Sequence, residues 1–576
     1  MKIHILIVGA ALCVAFVLIA CTGAATPHSA PNVPGGKPHV LSVTVDLSAP
    51  ARAISPYIYG TNSDLSDQNR VTARRLGGNR TTALNWETGA SNAGEDWKHS
   101  SDSWLESSVG VPAGEAGSRG AVYTTFHEKS RALGALSLVA IPIAGWVAAD
   151  TAGSVSSKEA APSNRWRPIL PSRGTLDNPS SYYRGALLDS GYTLDEARTK
   201  AVYQDELVSF LVERFGSAAS GRGVSAYSFD NEPGLWRHTH PHVHPKAASG
   251  EELVARSLET ARAVKDVDPD ALLFGPESFG FSAYNDNAGD PEWPFYLDDA
   301  RDEGKPLRWF LDWYLDQFAM AEEAEGRRLL DVLSVHWYPE ARGGGVRITT
   351  ADSTNAATNR ARIQAPRAFW DPMYHEDSWI GQSFSWALPI LPLLNESIDN
   401  WYPGTKLAIT EYNFGGDTHI SGGLAQADAF GVFAQNGVFL ATWWPIGGRG
   451  TYVSAAWRLY RNLDGKGLSF GDQLIPVEGF DPERVSIWVS RTGPAAAPES
   501  FHFIVLNKSA KDALASSLSL EAIVGGGWSV AAARGFDESS AKIEDCSEGV
   551  SLDGSLLSIE QPPLSAWHVV LEPGKL

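Results

Sequence analysis

VSAYSFDNEPGLW, residues 224–236, runs an alternating apolar segment into an Asn, a Glu and a Pro. The apolar part reads as a buried strand, and Glu232 stands at its mouth. A carboxylate is costly there unless it has a partner or a task. Pro233 has no amide proton, so it ends the strand and implies a rigid turn that fixes Glu232. LAITEYNFGG, residues 407–416, poses the same problem for Glu411.

Working outward, eight short apolar runs of this kind begin near residues 57, 74, 136, 224, 271, 331, 406 and 438, each ending in polar or glycine residues. Between them lie stretches with helical spacing, such as Val254, Leu258, Ala261 and Val264, or Leu307, Leu311, Tyr314 and Phe318. Eightfold strand–helix alternation predicts an α/β fold, a TIM-like (β/α)8 barrel, with chemistry at the carboxyl ends of the strands. After about residue 465 the helical pattern stops, and RVSIWVS, SFHFIVLN, GWSVAAARGF and AWHVVLEP predict short strands of an antiparallel β-sandwich. VLSVTVDL, residues 40–47, alternates as a half-buried strand that joins the same sandwich. The expected organisation is a barrel over 56–465, inserted between a strand region at 39–55 and the rest of the sandwich at 466–576. Residues 147–174 lack periodicity and read as a loop after the third strand, either a cleft wall or a surface insertion.

The amino terminus reads as a targeting segment. Lys2 precedes an apolar run, Ile5–Ala20, too short for a confident membrane span. The run ends in Leu18-Ile19-Ala20-Cys21, which resembles a bacterial lipobox with Cys21 as the lipidated residue; the alternative is an ordinary signal peptide. Residues 1–21 are then a lipoprotein signal peptide and 22–38, rich in Pro, Gly, Ala and Ser, a flexible linker. The implied chain is exported from a bacterial cell and anchored at the surface or in the periplasm, touching membrane only through that lipid. Besides Cys13 and Cys21 only Cys546 remains, which leaves no internal disulfide. A net charge of −20 over 576 residues offers no basic stripe for nucleic acid. A monomer is expected.

Glu232 ends the fourth run and Glu411 the seventh, and in a barrel these two ends converge across the central opening. Paired carboxylates are what glycosidic hydrolysis needs: one protonated to release the leaving oxygen, the other ionised to attack or to activate water. Their surroundings must separate the two pKa values. Asn231, beside the acid, can bond the sugar hydroxyl next to the reacting carbon.

Together, GGNRTTALNWETGASNAGEDW (77–97), YSFDNEPGLW with its following Thr-His and His-Pro, FGPESFG, LSVHWYPEA, ITEYNFGG with HISGGLAQAD, and YRNLDG resemble glycoside hydrolase family 44. That family contains endo-β-1,4-glucanases and xyloglucanases. The resemblance runs from about Tyr57 to Gly465. It implies retention of anomeric configuration, with Glu232 as acid/base and Glu411 as nucleophile. The substrate class it implies is plant cell-wall β-glucan: cellulose derivatives, xyloglucan or mixed-linkage glucan. No cofactor is required, and a structural calcium ion is compatible with a sequence that does not place one.

Further candidates fill out a sugar cleft. Arg75 and Asn79 are placed to position nucleophile and substrate, and His336 and Tyr338 to orient the nucleophile or a hydroxyl, with Trp337 left open. Trp86, Trp379 and Trp444 offer either flat faces for a pyranose or ordinary core packing. Glu277 either bonds a sugar hydroxyl or braces the fifth strand end. Two other function classes compete: a surface lipoprotein that only binds glucan, and a zinc hydrolase using His238, His240, His242 and His244, which would share one face of an extended strand. The glycine run at 343–345 reads as loop.

Overall fold

The computed structural model describes residues 38–177, 193–350, 355–446, 450–522 and 527–574. The targeting segment with Cys21, and the linker up to residue 37, lie outside the described residues.

Eight parallel strands close a barrel: β1 (Tyr57–Thr61), β2 (Ala73–Leu76), β3 (Leu136–Ile141), β4 (Ala226–Phe229), β5 (Leu272–Ser278), β6 (Val332–Trp337), β7 (Lys406–Tyr412) and β8 (Leu440–Trp443). Each coincides with one of the eight apolar runs. The runs are continuous because the strands are buried on both faces, inward by the barrel filling and outward by helices. Ala73, Leu138, Ala226, Phe274, Val332, Ala408 and Leu440 pack together inside as an apolar floor at the strand starts. Above that floor the inward residues turn polar, with Arg75, Ser228, Ser334, His336 and Thr410 all buried.

Of the two helical stretches, Gly250–Val267 begins at Ser249, whose side chain accepts from the Glu252 amide. The other, Phe310–Glu325, starts three residues after Leu307, which packs beside it from the preceding loop.

All four carboxy-terminal runs form strands: β9 (Val485–Thr492), β10 (Ser500–Asn507), β11 (Trp528–Asp537) and β12 (Ser565–Pro573) lie in one seven-stranded sheet. The amino-terminal strand, His39–Asp46, joins a smaller four-stranded sheet by pairing parallel to Leu514–Glu521. The sandwich is thus antiparallel except for that one ladder. A strand separated from its partner by the whole barrel sequence is not tied to it by a hairpin, so nothing forces the pair antiparallel.

The larger sheet is covered on both faces. Ile487, Val489, Phe503 and Val569 meet the smaller sheet, while Trp488, Ile504, Leu506 and Val570 meet the barrel. Trp488 lies against the barrel helix Ile420–Gln435, where a Cβ on Gly431 would come within 2.1 Å of the indole. Its Nε1 donates to Asp428 at 3.1 Å, and Lys508 Nζ meets the same carboxylate at 2.6 Å.

Residues 147–174 are more ordered than a loop. Trp166–Leu170 pairs antiparallel with Trp146–Ala148 and parallel with Val202–Tyr203, and Gly153–Ser154 edges a second small sheet with Ser100–Asp102. Pro168 within the strand hides its period.

Gly431→Ala is expected to destabilise the protein by about 1–3 kcal/mol through overpacking against Trp488. Denaturant unfolding measures this; a variant as stable as the parent would contradict the close approach.

Candidate active site

The site forms where the barrel strands end. From Ala408, period-two alternation sends Thr410 inward and Glu411 outward. The ladder to β6 shifts between Val335 and His336, so that Ile409 pairs with Val335 but Glu411 pairs with His336. Thr410 is therefore an extra residue, and alternation restarts with Glu411 facing in. Thr410 Oγ1 donates inward to Glu277 at 2.7 Å, whereas Tyr412 packs outward on Phe433. The ladder between β5 and β6 skips Glu277 in the same way, and Glu277 has φ +58°.

Glu232 follows β4 with φ +45°, two residues after Asp230 at φ +62°. A left-handed residue with a side chain costs roughly 1–2 kcal/mol, and the Asp230 carboxylate offsets this. It accepts from Thr82 Oγ1 at 2.6 Å and from the amides of Ile143, Asn231 and Ala144 at 2.6, 2.8 and 3.2 Å. The turn that presents Glu232 is thereby tied to the end of β3.

Arg75, fully buried on β2, joins the parts. Nη1 donates to Glu411 Oε1 at 2.7 Å and to Asn62 at 3.2 Å; Nη2 meets Glu277 at 2.9 Å and Asn231 Oδ1 at 2.9 Å. Asn231 Nδ2 donates to Asn79, whose own amide donates to Asp96 at 3.1 Å. Tyr338 donates its hydroxyl to Glu411 Oε2 at 2.8 Å. His336 Nδ1 is 2.8 Å from Glu232 Oε1 and 3.6 Å from Glu411 Oε2, and its Nε2 is 3.1 Å from Glu277.

These contacts set the charges. Burial would discharge His336, but the carboxylates of Glu411, Glu232 and Glu277 overcome it and raise the imidazolium pKa to about 9. Burial likewise opposes ionisation of Glu277, yet Arg75 and His336 bring its pKa down to about 2. Burial raises the Tyr338 phenol, and the neighbouring carboxylates raise it further, so it stays a donor. Glu232 is raised chiefly by burial, against the pull of His336. Two cations then face three carboxyls, and the cluster is neutral when one of them, Glu232, holds a proton. Arg75 and Tyr338 both donate to Glu411 instead.

The structure thus brings together Glu232, Glu411, Arg75, Asn231, His336 and Tyr338, with Asn79 one row behind. Glu277 has no exposed surface and braces His336 and Arg75 from below, resolving its two readings toward the brace. Trp337 faces outward against Phe369 and Tyr284. Trp86 presents no face to a sugar: its indole is buried against Phe210 and donates to the Tyr203 carbonyl at 3.1 Å. Trp444, half-buried, lies over Gly78, where a Cβ would fall 2.5 Å from the ring. Trp379 is 40 % exposed beside Phe281 and Phe384. Sequence reasoning missed Asn62, Asp230 and Thr410. Asp230 was within reach as a charge next to a buried strand end, but Thr410 needed the bulge.

The histidine run is not extended. Trp236–Thr239 is a short helix; His240 is buried near the Asn92 carbonyl, His242 stacks on His99, and His244 bridges the Lys246 carbonyl and Glu252. The proline-broken turn sends each ring to a different partner, and among the described residues the run gathers no three ligand atoms. Ligand atoms of Glu232, His336 and Glu411 do come within 4.8 Å of one another, and all three are engaged with one another and with Tyr338 and Arg75 through the hydrogen bonds above.

Glu277→Gln is expected to lower the His336 pKa from about 9 by a unit or more, since a negative neighbour is lost. Because that pKa lies above the ordinary 6.5, its stability contribution is full below about pH 6.5 and fades as pH rises through about 9. Imidazole NMR titration reads the shift; an unchanged midpoint would contradict the brace.

Residues 90–341 match the family model described as glycoside hydrolase family 44. Endoglucanase A of Paenibacillus lautus is 43% identical over 534 residues, spanning 92% of this chain and 72% of that relative. A solved family 44 xyloglucanase of Paenibacillus polymyxa, with xyloglucan, superposes with a TM-score of 0.84 at 43% identity, covering 93% of this chain and 100% of the other. A family 44 endoglucanase of Clostridium thermocellum gives a TM-score of 0.84 at 44% identity, covering 92% and 100%. With the paired glutamates in place at the barrel mouth, these likenesses establish that the chain belongs to glycoside hydrolase family 44.

Proposed function

We propose that the protein is a retaining, endo-acting hydrolase of β-1,4-glucosidic bonds in plant cell-wall β-glucans such as xyloglucan, cellulose derivatives and mixed-linkage glucan. The observation that carries this reading is the approach of a Glu232 oxygen and a Glu411 oxygen to within 4.8 Å. Retaining pairs stand about 5–5.5 Å apart, whereas an inverting pair leaves about 6.5–9.5 Å for a water between. The named activities of the relatives support the glucan class.

In the first step a Glu411 oxygen attacks the anomeric carbon, the bond to the leaving oxygen breaks, and that oxygen takes the proton from Glu232. In the second, water attacks the same carbon, gives its proton to Glu232, and Glu411 departs as carboxylate. One water is added across one bond, using only the chain's own carboxyls. The Glu411 charge is among the influences that raise the Glu232 pKa. Esterification removes that charge and lets the Glu232 pKa fall, so that after giving up its proton Glu232 stays ionised and is ready to accept one from water in the second step. Asn231, held by Arg75, is placed for the hydroxyl beside the reacting carbon, and Trp444 and Trp379 supply apolar faces for flanking sugars. In this reading the enzyme works as a monomer tethered through a lipid on Cys21. A binding-only lipoprotein has no use for an acid and a nucleophile converging on one point.

Glu232→Ala is expected to slow hydrolysis of glucan by about 10²–10⁴-fold, as for loss of a general acid. The loss should be much smaller on an aryl glycoside whose leaving group needs no proton; equal losses would contradict the acid role. In the parent, kcat/KM should fall as pH rises through the elevated Glu232 pKa, and this basic limb should vanish in the variant on the aryl substrate. Anomeric proton NMR of fresh product from a β-linked oligosaccharide should show the β anomer first; the α anomer first would overturn retention.

A further inference from the structure

The glycine run at 343–345 has a use that its reading as loop conceals. Arg342–Gly343 and Val346–Arg347 form a small antiparallel hairpin behind β6, with Gly344 and Gly345 at φ +61° and +80° in its two-residue turn. At Gly343 a Cβ would lie 2.2 Å from the Ala357 carbonyl, so the hairpin also sits hard against the next helix. The hairpin aims Arg347 back at the strand end it came from. Its Nη2 donates to the Tyr338 carbonyl at 2.9 Å, its Nε to the Pro339 carbonyl at 3.0 Å, and its guanidinium pairs with Glu340 at 2.7 Å. One side chain therefore grips three consecutive residues, the first of which holds Glu411 through its hydroxyl at 2.8 Å. Beyond Arg347, buried Arg362 ties the Ile348 carbonyl at 2.9 Å to the Phe414 carbonyl at 3.1 Å, just past the nucleophile strand. Both ends of the hairpin are thus referenced to the elements carrying Tyr338 and Glu411.

We propose that Arg347 is a positioning residue for the glycosidase reaction, acting through the Tyr338 peptide to hold the phenol on Glu411. This rests on the reading of Glu411 as nucleophile. Arg347 touches neither reacting carboxylate, and its side chain is about one-third exposed, at 32 %. Its two carbonyl bonds and one partly exposed ion pair contribute modestly to folding, whereas a phenol displaced by about 1 Å can cost up to ~100-fold in rate.

The test is a double-mutant cycle with Arg347→Met and Tyr338→Phe on a defined xyloglucan oligosaccharide, following kcat and KM separately. Arg347→Met is expected to lower kcat roughly tenfold with KM nearly unchanged, and to cost little further in the Tyr338→Phe background, because the two act in series. Arg347→Lys keeps a charge for Glu340 but loses the two-carbonyl grip, and should fall with Arg347→Met in kcat while staying fully folded at the assay temperature by circular dichroism. Additive losses in the cycle, a rise in KM alone, or full activity in Arg347→Lys would overturn the proposal. The parent assayed alongside keeps the two readings apart: β-anomer product from the parent with an additive cycle rejects Arg347 alone, while α-anomer product rejects the nucleophile reading beneath it.

Discussion

One guanidinium, that of Arg75, ties Glu411 to the buried Glu277 beneath it and to the Asn231 that stands beside Glu232. It is removed from water, and a buried charge of that kind persists only when it is paired with opposite charge and hydrogen-bonded. Its partners are Glu411, Glu277, Asn231 and Asn62, which come from β7, β5 and the loops after β4 and β1. Removing one member of such a buried set typically costs about 3–5 kcal/mol, because the rest stay charged and unmatched. The barrel mouth is therefore organised by charge balance as much as by strand geometry. The apolar floor below closes the barrel and keeps the polar layer dry on its underside. The same balance divides the labour of the two glutamates, since Glu411 has Arg75 and Tyr338 while Glu232 has only the imidazolium.

Local backbone irregularity delivers these groups. A regular β7 would present Thr410 and hide Glu411; the extra residue in the ladder presents both. A regular end to β4 would not turn Glu232 back over β5, where its amide donates to the Glu277 carbonyl at 3.2 Å. The strain of Asp230 and Glu232 is sustained by hydrogen bonds that Asp230 itself collects from a neighbouring strand. Such sites spend some stability to pre-set a geometry, which is where electrostatic stabilisation of a transition state is most effective.

How much of this was legible follows from the same physics. Double burial makes barrel strands read as apolar runs, so all eight were visible, and with them the fourth and seventh ends that carry the glutamates. Arg75 and His336 were visible because period-two alternation turns them inward from Ala73 and Val332 without interruption. Glu277 was visible as a charge but not as a brace, since only the three-dimensional structure shows that it is wholly buried beneath His336 and Arg75. Trp86 misled because a tryptophan in a turn-rich stretch looks available, while its indole in fact anchors that stretch to Tyr203. The histidine alternation carried only a competing reading, because Pro241 interrupts the extended backbone that a shared face requires. The parallel pairing of His39–Asp46 has no local signal at all; it depends on where a strand more than 450 residues away happens to lie.

The sandwich contributes by fixing the helix that follows β7, the strand that carries Glu411. Asp428 on that helix accepts from Trp488 and pairs with Lys508, the two charged side chains each 1 % exposed, which ties the helix to the larger sheet. The central claim remains the meeting of Glu232 and Glu411 at one anomeric carbon. The measurement that addresses it most directly is trapping with an activated 2-deoxy-2-fluoro cello-oligosaccharide, followed by peptide mass spectrometry. The account requires one sugar adduct per chain, located on Glu411 and absent from a Glu411→Gln variant. An adduct on another residue, or turnover of the reagent with no adduct and an α-configured product, would contradict it.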